Sequence, residues 1–186
     1  MDNYNNNYDC IIGIDPGSNG GLAVEADGHI SVCKMPKNIT QLGDFLKHYR
    51  DNYHNVIVFI EKLAIRHDDL HGGKVFRIKK LIANHEQLKL IVALHSLPYA
   101  EVHPLTWQSR LGLRQVGEEK SARKKRYKDV ASGLYPSVNT TMWNCDALLI
   151  MRYGKTMLES NVRRDTNWMR DNIVINKNND IYNNIY

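Results

Sequence analysis

Val56-Ile57-Val58-Phe59-Ile60 is apolar at every position. A strand with one wet face alternates in polarity, so an unbroken run of this length predicts a strand covered on both faces. Such strands belong to sheets with parallel neighbours, whose crossovers are normally helical. The run therefore places the chain among the α/β folds. It ends in Glu61, a carboxylate at the rim of a core.

A second apolar run, Ile11 to Ile14, ends the same way, in Asp15. Pro16 biases Asp15 toward extended geometry, and Gly17, Gly20 and Gly21 let backbone or a ligand approach closely. Leu22 to Val24 then reads as the return strand of a longer-loop hairpin. Desolvating a carboxylate without a partner is expensive. One such acid is an ordinary way to start a turn. Two at equivalent strand ends point to a shared cation.

The rest of the chain supplies the other layers. Gly28 follows Asp27, and His29 to Met35 reads as a third strand that completes an antiparallel meander. Asn38 or Thr40 can cap a helix to about Tyr53, with Leu42, Phe45, Leu46 and Tyr49 on one face. After Glu61, Lys62 to Gly73 reads as a polar loop hinged at Gly72-Gly73. A long helix follows from about Lys74 to His95, with Ile78, Leu81, Ile82, Leu88 and Val92 as its core stripe. Tyr99 to His103 forms a fifth strand, and Pro104 opens a short helix with Trp107 and Leu111. A helix from Glu118 to Leu134 turns Tyr127, Val130, Ala131 and Leu134 inward. Pro136 to Thr141 connects it to an apolar helix that begins at Asp146.

At 186 residues the chain suits one domain with a proper core. Residues 1–160 make that domain, and the Asn-rich segment 161–186 is expected to be poorly ordered. The net charge of +5 favours an acidic partner, with nucleic acid first in line. Cys10, Cys33 and Cys145 are odd in number and lack CxxC spacing, which suits reduced thiols in a cytoplasmic protein without a zinc knuckle. No apolar run approaches membrane-spanning length.

These residues carry a resemblance. Gly13-Ile14-Asp15-Pro16-Gly17-Ser18 with Gly20-Gly21, Ile60-Glu61, and Val102-His103-Pro104 with Trp107-Gln108 come in order along the chain. Lys120 with its basic helix, Tyr135-Pro136 and Asp146-Ala147-Leu148-Leu149-Ile150 follow them. The set, spanning roughly Ile11 to Gly154, resembles the RuvC-type Holliday junction resolvases and especially their phage-encoded relatives. The resemblance implies a ribonuclease H-like fold, a five-stranded mixed sheet with helices on both faces. It also implies a homodimer built largely on the helix after Glu61, acting on four-way or branched DNA in the cytoplasm.

Phosphodiester hydrolysis needs an activated water and stabilisation of charge on the phosphate and on the leaving oxygen. Two Mg²⁺ ions about 3.5–4 Å apart supply all of these, with Mn²⁺ a substitute. Mg²⁺ binds through a few carboxylates, water and substrate phosphate. Asp15, Glu61 and Asp146 are the expected metal ligands and catalytic acids, although an acid at a helix N-terminus is favoured by the dipole in any case. No small-molecule cofactor is implied. Lys120, Arg123, Lys124, Lys125, Arg126 and Lys128 put six cations into nine residues. A charge run is usually a solvated face; beside nuclease acids, Lys120, Arg123, Lys124, Lys125 and Lys128 are expected to contact DNA phosphates.

Two positions depart from the pattern that the resemblance brings. Its fourth acid lies three residues before the last Asp, where this chain has Trp143, with Asn144 one position out of register. An aromatic residue stands three positions after the Glu, where this chain has Ala64; Phe76 is an unaligned substitute. His67 and His71 are spaced like helical metal ligands but sit in a polar loop. The expected activity is metal-dependent, structure-selective endonuclease cleavage of branched DNA. The alternatives are a ribonuclease H-type or flap nuclease, and a nucleic-acid-binding module with impaired catalysis.

Overall fold

The computed structural model describes residues 8–65, 75–164 and 174, without the side chains of 161–164. Its sheet has the order β3-β2-β1-β4-β5. Strands β1 (Cys10–Asp15), β2 (Gly21–Ala26) and β3 (His29–Lys34) form the antiparallel meander. Asp27 and Gly28 both take positive φ, 49° and 75°, which gives the two-residue turn whose twist matches a hairpin. β4 (Val56–Glu61) lies parallel to β1, and β5 (Tyr99–Val102) lies parallel to β4. The strand with no alternation is thus central, as its sequence requires.

Helices cover both faces. α1 (Ile39–Asn52) and α2 (Val75–Leu94) lie over Ile12, Ile14, Val58 and Ile60. The Asn38 side chain caps α1, accepting from the Gln41 amide at 2.8 Å. The other face, with Ile11, Ile57, Phe59 and Val102, packs against α3 (Pro104–Arg110), α4 (Lys120–Leu134) and α5 (Cys145–Arg164). α5 presses on the sheet with little room to spare. A Cβ on Gly13 of β1 would stand 2.5 Å from the Ala147 carbonyl oxygen and the Met151 amide nitrogen, and one on Gly154 would meet the Phe59 ring.

Several sequence expectations need correction. Ile82 is exposed and Leu81 only half-buried, whereas His85 is buried in α2. His85 Nε2 lies 2.8 Å from Glu101 Oε1, a pairing that lets a polar ring enter the core side. Leu134 at the end of α4 is also exposed. The boundary expected at residue 161 falls inside α5, which runs on to Arg164. Further along, Val174 and Tyr99 exchange backbone hydrogen bonds at the β5 edge. The hinge at Gly72-Gly73, the pair His67 and His71, and the helix start at Lys74 lie outside the described residues. All three cysteines are free thiols, and burial pushes Cys10 and Cys145 up to about 12. Among the described residues no helix is long and apolar enough to cross a membrane.

Candidate active site

Ile14 pairs with Ile60 in parallel register, so Asp15 and Glu61 follow at the same sheet edge. Alternation along both strands turns them toward the face that carries α5. Asp146 comes down onto that face from the first turn of α5. The depth at which it arrives is set by the backbone contact at Gly13. Asp15, Glu61 and Asp146 all line one cleft of about 790 Å³. The structure therefore brings together the three acids that the sequence singled out.

Each acid has a local partner. The Gly17 amide donates to Asp15 Oδ1 at 3.1 Å, closing a tight turn. Gly20 makes room for that turn, since a Cβ there would stand 2.7 Å from the Asp15 carboxyl carbon. Trp107 Nε1 donates to Glu61 Oε1 at 2.9 Å. Lys124 Nζ donates to Asp146 Oδ2 at 2.5 Å.

Burial and mutual repulsion shape the protonation of Asp15 and Glu61. Burial first, then the charge of Asp146, raises Asp15 from its ordinary value, against the pull of the Gly17 amide and Lys124. Glu61 rises further, to about 7, through burial and the charge of Asp15, against the Trp107 hydrogen bond. Burial works against the Lys124 ammonium, but the charge of Asp146 and their hydrogen bond outweigh it and lift the lysine.

Buried carboxylates that repel one another and offer hard oxygen donors fit a hard divalent cation. Among the described residues, however, no three His, Cys, Asp or Glu side chains already stand together as a metal cage. Asp146 is occupied by Lys124, and one oxygen of Glu61 by Trp107.

The first of the two departures has a clear structural outcome. Trp143 is half-buried and lines the cleft, held edge-on to the space above Gly21, with Lys34 Nζ 5.9 Å from its ring centroid. Asn144 cannot offer an oxygen to a metal. It is fully buried, its Oδ1 accepting from the Thr141 amide at 2.7 Å and its Nδ2 donating to the Asn139 carbonyl at 3.1 Å. It holds the turn that leads into α5.

The basic helix divides in a way its sequence does not announce. Lys120, Arg123 and Lys124 line the cleft, whereas Lys125 and Lys128 do not. Arg126 is taken by Glu118 at the helix start, its Nε donating at 2.9 Å. Lys124 does not present a free charge to solvent, as expected of a phosphate contact, because it is bound to Asp146. Sequence reasoning missed three features: the Trp107–Glu61 bond, the Lys124–Asp146 pair, and Arg77, which also lines the cleft. The signal for Lys124 was present. It precedes buried Tyr127 and Ala131 by three and seven residues, on the same inward stripe.

A mixed five-stranded sheet with helices on both faces and acids at the ends of its two central parallel strands is a ribonuclease H-like fold. No protein-family model matches the sequence, and no curated protein matches it. Solved structures do. The Thermus thermophilus RuvC structure is similar over 80% of this chain and 96% of its own, at 16% identity and a TM-score of 0.51. T. thermophilus RuvC in complex with Holliday junction substrate is similar over 80% and 95%, at 15% identity and a TM-score of 0.49. At such identity the likeness establishes the fold.

Proposed function

We propose that this protein is a Mg²⁺-dependent, structure-selective endonuclease that cuts four-way or branched DNA as a cytoplasmic homodimer. The observation that carries the reading is the convergence of Asp15, Glu61 and Asp146 in one cleft walled by cations. The ordered motifs that resemble those of RuvC-type resolvases support it further.

Asp15, Glu61 and Asp146 are the acids that would hold divalent metal. When bound, the metal supplies an activated water and neutralises charge building on the scissile phosphate. The Gly17 amide and the Trp107 indole fix one oxygen each on Asp15 and Glu61, and both residues line the cleft. Lys120, Arg123 and Arg77 line the walls where a phosphate chain would enter. Mn²⁺ is expected to replace Mg²⁺.

Junction selectivity rests on α2. Phe76 is 83% exposed in its first turn, beside Arg77, and is suited to enter the open centre of a branch point. Leu90 and Leu94 are also exposed, on the side of the helix away from Ile78, His85, Leu88 and Val92, with Val75 and Ile82 exposed at its flanks. An apolar outer face of this kind suits a two-fold interface with a second copy, which the paired nicks on a symmetric junction require.

The test is a panel of labelled four-way, flap, duplex and RNA–DNA substrates, cut with Mg²⁺ and with EDTA. Selective nicking of the four-way junction with Mg²⁺ alone is the expected result. Equal cutting of duplex, or cutting of RNA–DNA hybrids, would replace the reading with a nuclease of different specificity. Junction binding without cleavage in Mg²⁺ or Mn²⁺ would leave a binding module.

A further inference from the structure

We propose that Lys124 is a built-in second cation, so that the cleft takes one divalent ion on Asp15 and Glu61 and a lysine ammonium on Asp146. The inference rests on the metal-dependent nuclease reading and revises one part of it, taking Asp146 out of the set of acids that hold metal.

Four observations converge. Lys124 Nζ and Asp146 Oδ2 are 2.5 Å apart, and both side chains are mostly withdrawn from solvent, at 31% and 18% exposure. Next to Asp146 the chain offers the cleft no second carboxylate: Trp143 lines it with a ring, and the adjacent Asn144 is consumed by its own turn. Lys124 also lines the same cleft as the other two acids, Asp15 and Glu61. Finally, its neighbour Arg126 is sequestered by Glu118, so Lys124 is the cation of this helix committed to the acids.

Charge balance decides between one ion and two. Three carboxylates carry three negative charges, and the ammonium returns one. The net of two matches a single divalent ion. A second ion would leave the site two positive charges in excess, only one of them offset by a scissile phosphate. An ammonium at Asp146 also supplies what a second metal supplies at that end of the cleft, a fixed positive charge near the phosphate oxygens. A lysine needs no carboxylate cage to hold it, and position 143 is free to be aromatic.

The experiment counts Mn²⁺ bound per chain in the full-length protein at saturation, by the loss of the free-ion electron paramagnetic resonance signal. Wild type and Lys124→Arg are expected to bind one ion. Asp146→Asn is expected to keep that ion, and Asp15→Asn to lose it. Lys124→Met frees Asp146 and doubles the count to two. Two ions in wild type would overturn the inference while leaving the metal-dependent nuclease intact. One ion in a Lys124→Met protein of native circular dichroism, or loss of the ion in Asp146→Asn, would overturn it too. No Mn²⁺ bound by wild type would overturn the inference together with the nuclease reading beneath it.

Discussion

Trp107 Nε1 and Glu61 Oε1 are 2.9 Å apart, and this bond is the strongest influence that holds the glutamate's proton affinity down, ahead of the charge of Lys124. Burial and the charge of Asp15 push Glu61 up to about 7; the indole N–H holds it down by stabilising the anion. Trp107 is thus more than the apolar anchor its sequence implies. A hydrogen bond to a charged group contributes about 1.5–3 kcal/mol, or roughly one to two pH units. Trp107→Phe keeps most of the packing against Tyr127 and removes only the donor. The midpoint of the pH–rate profile for metal-dependent cleavage should move up by about one unit. An unchanged midpoint would separate Trp107 from the chemistry.

The same protonation makes the metal-free protein sensitive to alkali. Glu61 has an ordinary value of 4.5 and a folded value of about 7, and Asp15 is raised in the same direction. Between those two values the folded chain holds a proton that the unfolded chain has released. Stability in EDTA is therefore fullest below about pH 4.5 as far as these groups are concerned, and falls as pH rises through about 7. Glu61 alone accounts for about 3 kcal/mol of that loss. Added Mg²⁺ should restore stability on the alkaline side. Denaturant midpoints at pH 5 and pH 8, with EDTA and with Mg²⁺, measure both effects. A flat profile in EDTA would show that the acids are not strained by their proximity.

Asp15→Asn, Glu61→Gln and Asp146→Asn should each reduce cleavage by more than about 100-fold, the upper range for loss of a partner behind a metal ligand. Junction affinity should hold or rise, since removing negative charge near a polyanion favours association. Asp15→Asn should also stabilise the metal-free protein at pH 8, because one of two repelling buried charges is gone. Gel-shift and nicking assays on the same preparations check the separation. Full activity in any of the three removes that residue from the mechanism.

The cations of α4 should differ from one another in salt dependence. Lys120 and Arg123 line the cleft without a carboxylate partner of the kind Lys124 has. Removing both by alanine substitution should make the slope of log affinity against log salt shallower by about 1.8, at roughly 0.9 for each phosphate contact. Lys124→Met should leave the slope nearly unchanged, since its charge is already paired. A loss of slope in Lys124→Met equal to that of a Lys120 variant would mean the Asp146 pairing breaks when DNA binds.

Leu90 and Leu94 are exposed on the outer side of α2, 59% and 67% respectively. In a two-fold interface each would occur twice. Leu90→Glu should convert a dimer to monomer by light scattering and slow paired nicking, with little effect on folding because the site is solvent-facing in one chain. A wild-type monomer at assay concentrations would remove α2 as the contact.

What the sequence made legible was whatever a single period could express. The uniform run of β4 and the two acids ending β1 and β4 needed no knowledge of their neighbours. α2 defeated the same reading because it is apolar on opposite sides. With Leu and Ile all round, a stripe drawn through Ile82 looks as good as one drawn through His85, and only packing chooses. Lys124 was obscured by its company: among six cations in nine residues, the one that turns inward has no distinguishing identity, only a phase. Trp107 was read as packing because an indole does pack. Its donor became visible only once β4 and α3 stood side by side.

At Gly13 the backbone of β1 touches the backbone of α5, with no side chain between them. The separation of Asp15 from Asp146 is thereby fixed by main-chain atoms, which every sequence shares, and not by the sizes of core residues. Leu148, Ile150 and their neighbours can be exchanged for other apolar residues and the gauge stays the same, provided position 13 remains without a Cβ. The placement of Asp146 relative to Asp15 is then insensitive to most substitutions elsewhere in the core. The cost is a single point of failure: Gly13→Ala, the addition of one methyl group far from solvent, would lever the helix and its aspartate away from the sheet.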